Sequence, residues 1–318
     1  MVALATVTLY DRVTKDRRTE NRERNFEMVF LTGIGRRPHK NIVQMIFAFS
    51  NRTAKHERLC ESFVFEFLPD TLASVIKREK LDTTDIKLYT WQLFNGLRYL
   101  SAHHIVHRDI KPMNVLMDHL VGMLKIGDFD LWSAGCVLGE MIRGNVLFPG
   151  RHTRHQLRLI FLCIGSPTSE DVKMMRVPTE IVFDGHVVLC PKADPLLIGL
   201  LTKILVYRPK DRLHGRELLL NPAFDSIFQN GAKRSNGQLI STIITADDIK
   251  DVKNEGNKTM VLHVTSEMRK QLDFTCEEFK LKLALSKNKL MGEKKLSTDI
   301  KAGIKSASVQ TTTQVWSR

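Results

Sequence analysis

The sequence predicts an α+β protein in which a small, strand-rich part precedes a larger helical part. Two runs rich in Phe, Val and Ile, Asn41–Ser50 and Glu61–Leu68, have the composition of β-strands. Apolar residues from Ile86 to Leu100 then recur at helical spacing. Residues 131–142 are apolar on every face, as expected of a buried central helix. Strands followed by helices in this order are typical of the α+β class.

The composition divides the chain into three parts. Residues 1–68 hold the strands and a charged helix predicted over residues 16–30, and residues 69–229 hold most of the helices. Beyond residue 229 the composition shifts to Lys, Ser, Thr and Asn with few aromatics, so residues 230–318 are predicted to form a basic, largely flexible tail. A short strand is predicted within the first dozen residues, which include Val7 to Tyr10. Further helices are predicted at Gln156–Cys163, Leu196–Val206 and Met268–Leu290.

The composition also argues against several classes of protein. The 318-residue chain has no apolar stretch of about 18 to 20 residues and no basic segment ahead of its apolar start, which argues against a membrane span and a secretory signal. Its five cysteines form no CxxC pair, which argues against a disulfide framework. We therefore expect a monomer in the cytoplasm or nucleus, with neither a membrane nor a specific nucleic acid as partner. The net charge of +13 predicts either a surface that attracts acidic or phosphorylated partners or an ordinary solvated surface.

The residues that carry chemistry lie within residues 107–129, in HRDIKPMNVLMD followed by KIGDF. Transfer of a phosphoryl group needs a carboxylate that orients the attacking hydroxyl, a cation near the transferred phosphate and oxygen ligands for Mg²⁺. The groups that fit these roles, in order, are those of Asp109, Lys111, Asn114 and Asp128. Such a combination at this spacing is a highly specific signal.

This pattern resembles the catalytic loop and the metal-binding Asp-Phe-Gly motif of eukaryotic protein kinases. The resemblance extends over residues 7–229 and implies a two-lobe kinase fold, ATP and Mg²⁺ as cofactors, and protein Ser or Thr as the phosphate acceptor. Residues 147–150 and 165–168 resemble an insert shared by cyclin-dependent kinases, MAP kinases and glycogen synthase kinase 3, the CMGC group. Asn21-Arg22-Glu23 and residues 86–94 look closest to glycogen synthase kinase 3, whereas FPGRH and GSPTSED are equally similar to MAP kinases.

The resemblance assigns six further residues to the nucleotide site. Glu23 matches the Glu of the small-lobe helix that normally pairs with a strand Lys. Glu66 to Leu68 match the hinge whose backbone holds adenine, and Phe65 matches the gatekeeper before it. Leu116 matches the floor of the adenine pocket.

Four further residues are assigned to phosphate binding or to structure. Arg22 and Arg108 match two of three basic residues that, in glycogen synthase kinase 3, hold a phosphate already on the substrate, although each fits equally well as an ordinary surface or loop charge. Asp130 matches the Asp that opens the buried helix of the large lobe and accepts hydrogen bonds from the catalytic-loop backbone. Arg212 matches the Arg near the end of the fold.

The sequence departs from the kinase pattern in four places. It begins at the family's third strand, so the Gly-rich loop is not in it, and counting back from Glu23 puts Asp11 where the family has its ATP-binding Lys. Phe129 runs directly into Asp130, where family members have an activation segment. The Glu that pairs with the family's equivalent of Arg212 is also missing, which predicts an unpaired buried charge costing on the order of 3–5 kcal/mol.

These departures leave three interpretations. The first is a serine/threonine kinase homologue whose activity is impaired in this chain and whose nucleotide binding is weak. The second is a catalytically inactive scaffold that binds partners near residues 175–191, a surface that receives partner helices in glycogen synthase kinase 3. The third is an incomplete reading of an active kinase gene, favoured because HRDIKPMN is whole. At the join we expect Asp130 to stay beneath the catalytic loop while Asp128 is pulled from its metal-binding position.

Overall fold

The computed structural model describes residues 2–8, 33–35, 37–52, 59–103, 110–126, 130–175 and 193–254. The described residues up to 38, together with residues 44–67, form one compact unit, and residues 39–43 with those from 68 onward form the other. Nowhere in these ranges is there a helix with the length and apolar character needed to cross a bilayer. The helices predicted over residues 16–30 and 268–290 lie outside the described residues.

The first unit is built on a three-stranded antiparallel sheet. Its strands are β1 (Val2–Thr8), β2 (Met45–Arg52) and β3 (Leu59–Glu66), in the order β1-β3-β2. The sheet buries Ala48 and Phe63, and the partly buried side chains of Met45 and Phe65 pack against them. Both strands predicted from the runs rich in Phe and Val are therefore present, and β1 lies within the first dozen residues, where a short strand is predicted.

The second unit begins with a short helix, a long helix and a small sheet. Helix α1 spans Leu72–Arg78 and helix α2 spans Thr83–Ala102. The sheet contains β4 (Asp70–Thr71), β5 (Val115–Asp118) and β6 (Met123–Ile126), in the order β4-β5-β6. The Asp82 side chain accepts the Asp85 N–H and so starts helix α2 (2.7 Å). Helix α2 is buried on nearly every side, more than the amphipathic stripe from Ile86 to Leu100 predicts.

The remaining helices complete the second unit. They are α3 (Leu131–Arg143), α4 (Thr153–Ile164), α5 (Ser169–Met175), α6 (Pro195–Ile204), α7 (Gly215–Leu219), α8 (Asp225–Phe228) and α9 (Ala246–Lys253). Helix α3 is the predicted central helix, and it packs closely on α6: a Cβ added at Gly135 would lie 2.8 Å from the Ile204 side chain. Gly144 ends the helix in the left-handed conformation (φ 78°), which glycine adopts without strain.

Residues 230–254 fold onto the second unit, so the prediction of a largely flexible tail is wrong for this segment. Arg234, with 1% of its side chain exposed, forms an ion pair with Asp85 (2.7 Å) and donates to the Tyr89 hydroxyl (2.7 Å). The same guanidinium donates to the carbonyls of His119 and Leu120 at the β5–β6 turn (2.9 and 3.3 Å). The average composition conceals the buried aliphatic residues Ile240, Ile243, Ile244 and Val252. Residues 255–318 lie outside the described residues.

Candidate active site

A short turn holds two of the four residues predicted to carry chemistry. Pro112–Asn114 form one turn of 3₁₀ helix immediately before β5, with Lys111 as its first flanking residue. The Asn114 N–H donates to the Lys111 carbonyl (2.8 Å), and both side chains are half-buried. Pro112 fixes the backbone at the start of this turn. The turn therefore places Lys111 and Asn114 near each other, on the segment that leads into the strand pair.

A network of buried amide side chains holds strand β6 against helix α2. Asn41 Nδ2 donates to Gln92 Oε1 (3.1 Å) and to the Leu124 carbonyl (3.0 Å), and Asn41 Oδ1 accepts from Asn95 Nδ2 (3.1 Å). The Ile126 N–H donates to the Asn41 carbonyl (2.9 Å). Asn41, Gln92 and Asn95 are each at most 1% exposed, so breaking any of these bonds would strand a polar group in the core.

Gln92 completes this network from the other side of the strand pair. Its Oε1 accepts the Leu124 N–H (3.0 Å), and its Nε2 donates to the Gly122 carbonyl (2.9 Å). Sequence reasoning missed the network, although Gln92 and Asn95 lie beside the apolar stripe of the predicted helix and are a visible signal. The network fixes the strand that leads into residues 127–129, where the predicted metal-binding Asp128 lies.

Leu116, the predicted floor of the adenine pocket, lies on the less buried face of β5. Alternate residues Val115 and Met117 are buried in the core, while Leu116 is half-exposed and pairs with Lys125 of β6. This placement leaves an apolar surface on the strand that follows Asn114. Leu68, in the same unit, is also half-buried.

The first unit contains the predicted gatekeeper and the start of the predicted hinge. The Phe65 ring lies 6.4 Å from the Phe63 ring, at the edge of that unit's core. The Glu66 N–H donates to the Gln44 carbonyl (3.1 Å), and the Glu66 carboxylate accepts the Gln44 N–H (2.8 Å). These bonds fix the end of β3 to the segment that precedes β2.

Asp130 caps helix α3. Its carboxylate accepts the Trp132 N–H (3.1 Å) and the Ser133 hydroxyl (2.8 Å). Strand β6 ends at Ile126 and the helix begins at Leu131, so the connection from Ile126 to Asp130 spans at most roughly 15 Å. The structure thus confirms that the helix begins after Asp130, and the connection has no length for an activation segment. The predicted contacts of Asp130 with the catalytic loop lie outside the described residues.

Arg212 is not the unpaired buried charge that the sequence predicts. Its Nε and one terminal nitrogen donate to the carbonyls of Val206 (3.0 Å) and Tyr207 (3.3 Å). The guanidinium also lies over the Trp132 ring, 5.0 Å from its centroid, a cation–π distance. Burial lowers the pKa of Arg212, and the Asp130 carboxylate opposes that shift. Backbone carbonyls and an aromatic ring thus replace the expected carboxylate as partners of Arg212. The predicted loss of about 3–5 kcal/mol of stability for an unpaired buried charge therefore does not apply.

The other predicted site residues stay predictions. Arg22, Glu23, Arg108, Asp109 and Asp128 lie outside the described residues, as does Asp11, the residue predicted at the position of the ATP-binding Lys. In the part of the chain that the structure describes, no cluster of three or more His, Cys, Asp or Glu side chains could hold a metal ion. The structure therefore brings together Lys111, Asn114 and the strand that carries Leu116.

Comparisons with known proteins agree with this architecture. The sequence pattern of the protein kinase domain matches residues 9–131, a match that ends at the first residue of helix α3. "Protein kinase gsk3" of Schizosaccharomyces pombe is 30% identical over an alignment of 282 residues that covers 71% of this chain and 70% of that protein. "Glycogen synthase kinase 1" of Pyricularia oryzae is 30% identical over 271 residues, covering 70% of this chain and 67% of that protein.

The chain therefore belongs to the protein kinase family. Within that family it is a serine/threonine kinase of the CMGC group, a relative of the glycogen synthase kinase 3 enzymes. The family assignment and the kinase-like α+β fold predicted from the sequence are both confirmed.

Proposed function

We propose that this chain is a homologue of kinases that transfer the γ-phosphate of ATP to protein Ser or Thr, and that its own transfer activity is strongly impaired. One observation carries the second part: strand β6 is joined to the cap of helix α3 through residues 127–129 alone. Asp130 uses both carboxylate oxygens on helix α3. Asp130 is therefore held at the start of helix α3. The three residues between Ile126 and Asp130 are too few for an activation segment.

The described residues fit Mg²⁺–ATP in part. An Asn114 side-chain oxygen is a ligand type that Mg²⁺ accepts, and the apolar face at Leu116 suits a nucleotide base. When bound, Mg²⁺–ATP would supply the phosphoryl group and neutralise developing charge. Lys111 would supply a cation near the transferred phosphate, and Asp109 would orient the acceptor hydroxyl. Asp11, where the family has a lysine, adds a negative charge instead, so we propose weak nucleotide binding.

The impairment follows from how phosphoryl transfer is catalysed. The protein contributes mainly positioning and electrostatic stabilisation, so each missing preorganised group costs roughly 10²–10³ in rate. An activation segment that orders the substrate is one such contribution, and a cation at the position of Asp11 is another. The intact HRDIKPMN sequence cannot compensate for the missing activation segment, because neither its base nor its metal ligand orients the substrate backbone.

A phosphotransfer assay tests this proposal. The full chain and its Asp109→Asn variant are incubated with radiolabelled ATP and Mg²⁺, with peptides that do and do not already carry a phosphoserine. We expect both proteins to label either peptide at the same background rate. Labelling by the unaltered chain that Asp109→Asn abolishes would contradict the impairment and establish an active kinase.

An inactive scaffold is the second candidate function. It is favoured by the second unit, whose central helix α3 and buried amide network are complete although the activation segment is missing.

We further propose that the protein acts as a monomer in the cytoplasm or nucleus. The free thiol of Cys136 in the described part of the chain suits a reducing compartment, and the net charge of +13 opposes self-association.

A further inference from the structure

The sequence contains three Asn-Gly pairs, at residues 95–96, 230–231 and 236–237. Asparagine is thermolabile because the backbone nitrogen of the next residue can attack its side-chain amide. Glycine makes that attack easiest, because it has no side chain to obstruct the approach. The attack needs both the Asn amide and the Gly N–H to be released from hydrogen bonds. The three pairs can therefore be compared by the hydrogen bonds that hold them.

The pair at residues 95–96 is held inside helix α2. Asn95 is 1% exposed, and its Nδ2 donates to Asn41 Oδ1 (3.1 Å). Asn95 Oδ1 accepts from Arg98 Nε (3.2 Å). Because Gly96 lies within the same buried helix, attack on Asn95 would require the helix to unwind and the core to open.

The pair at residues 236–237 lies in an exposed turn but is also held. Asn236 Nδ2 donates to the Leu120 carbonyl (3.2 Å), and Asn236 Oδ1 accepts the Gln238 N–H (3.0 Å). The Gly237 N–H donates to the Arg234 carbonyl (2.9 Å). Both the group to be attacked and the attacking nitrogen are therefore engaged in the folded protein.

The pair at residues 230–231 lies in a second exposed turn, directly after helix α8. This turn is closed by one hydrogen bond, from the Ala232 N–H to the Gln229 carbonyl (3.1 Å). Among the described residues, none forms a hydrogen bond with the Asn230 side chain or with the Gly231 N–H. Gly231 and Gly237 have similar left-handed conformations (φ 77° and 84°), so hydrogen bonding rather than backbone conformation distinguishes the two turns.

We propose that Asn230 is a site of spontaneous deamidation, and that hydrogen bonds protect Asn95 and Asn236 from the same reaction. The Gly231 amide nitrogen loses its proton to a base and attacks the Asn230 side-chain carbonyl carbon. A carbon–nitrogen bond forms, the bond from that carbon to Nδ2 breaks, and Nδ2 takes up a proton and leaves as ammonia. Water then hydrolyses the resulting succinimide at either of its two carbonyls, which gives aspartate or isoaspartate.

The product alters the turn that joins helix α8 to residues 232–254. It adds a carboxylate to the turn, and in isoaspartate the backbone also gains a methylene group. The reaction consumes only water, so it needs neither a nucleotide nor a metal ion. It is therefore independent of the phosphotransfer discussed above, and its extent would record the age of the chain.

Peptide mass spectrometry of the full chain tests this proposal. The protein is incubated at neutral pH and physiological temperature, and then digested with trypsin under mildly acidic conditions that suppress further reaction. Cleavage after Lys233 and Arg234 places Asn230 and Asn236 on separate peptides. We expect Asn230 to exchange its amide for a carboxyl group at least about tenfold faster than Asn236, because each hydrogen bond that must open slows the attack.

Two controls assign the difference to the fold. In urea, where the turns are lost, Asn230 and Asn236 should react at similar rates. The variant Asn230→Gln should abolish the reaction in its peptide, since attack on the longer side chain would form a less favourable ring. Equal rates at the two sites in the folded protein would overturn the proposal. A difference that persisted in urea would overturn it as well, and so would a reaction that survived in the Asn230→Gln peptide.

Discussion

Arg234 connects three parts of the second unit through one buried guanidinium. It holds the Asp85 carboxylate through two nitrogens, the Tyr89 hydroxyl, two carbonyls of the β5–β6 turn and the Gln238 side chain. The side chains of Arg234 and Asp85 are 1% and 4% exposed. A buried pair of this kind depends strongly on both partners being present, because either charge alone is left without water.

We therefore expect Arg234→Met to lower the free energy of unfolding by about 3–5 kcal/mol, since Asp85 would remain buried without a cation. The double variant Arg234→Met with Asp85→Leu removes both charges and should recover a substantial part of that loss. Urea denaturation followed by circular dichroism measures both values. A loss below about 1 kcal/mol for the single variant would show that Asp85 finds water or another partner.

A contiguous motif makes candidate site residues visible in a sequence, whereas a distant contact does not. Lys111, Asn114 and Asp130 are predicted site residues because they stand at the motif's spacing within one segment, and their site roles stay predictions. Arg234 and Asp85 are 149 residues apart, and a single long-range pair leaves no periodic signal. Arg212 was predicted to lack a partner because the backbone carbonyls it uses are present in every sequence and identify nothing.

At the scale of elements, helix α2 and strand β6 approach each other closely at Gly96. A Cβ built there would lie 3.0 Å from the Asn41 carbonyl oxygen and 3.0 Å from the Ile126 side chain. Helical periodicity predicted where helix α2 lies but not this contact, because the pattern shows which face is buried and not how near its neighbour comes. Here the lack of a side chain is required by packing rather than by backbone conformation.

We expect Gly96→Ala to destabilise the protein by about 1–3 kcal/mol through overpacking, despite the better helix propensity of alanine. Gly199 in helix α6 is the matched control, since an added Cβ there meets no atom within 4 Å. Gly199→Ala should therefore stabilise by about 0.5–1 kcal/mol. Thermal denaturation of the two variants should shift the melting temperature in opposite directions, and stabilisation by both would show that helix α2 and β6 separate without cost.

At the scale of the whole molecule, two half-buried groups contribute to how stability depends on pH. His39 Nδ1 accepts the Asn41 N–H (3.2 Å), and its ring stacks on Tyr99. Burial, reinforced by the Arg98 charge, lowers the pKa of His39 from 6.5 to about 3. Burial, reinforced by Glu140, raises the pKa of the Cys136 thiol from 9.0 to about 12. Both shifts favour the neutral form in the folded state.

Unfolding should therefore become easier at both ends of the pH range. Below pH 6.5 the unfolded chain binds a proton at His39 that the folded chain does not, and above pH 9.0 it releases a proton from Cys136 that the folded chain retains. Each of these two groups contributes a slope of at most about 1.4 kcal/mol per pH unit. Urea midpoints across this range measure the profile. His39→Gln should flatten only the acid limb and Cys136→Ala only the alkaline limb; unchanged slopes would contradict the assignment.

The ion pair of Asp85 and Arg234 also has a consequence for the order of folding. Closing a loop of 149 residues costs chain entropy before the contact is gained, and such non-local contacts form slowly. During synthesis, helix α2 leaves the ribosome well before Arg234 does. Until Arg234 arrives, the Asp85 carboxylate has to remain hydrated, so the first turn of helix α2 stays open to water. The last quarter of the described chain thus completes a core that the earlier residues cannot close by themselves.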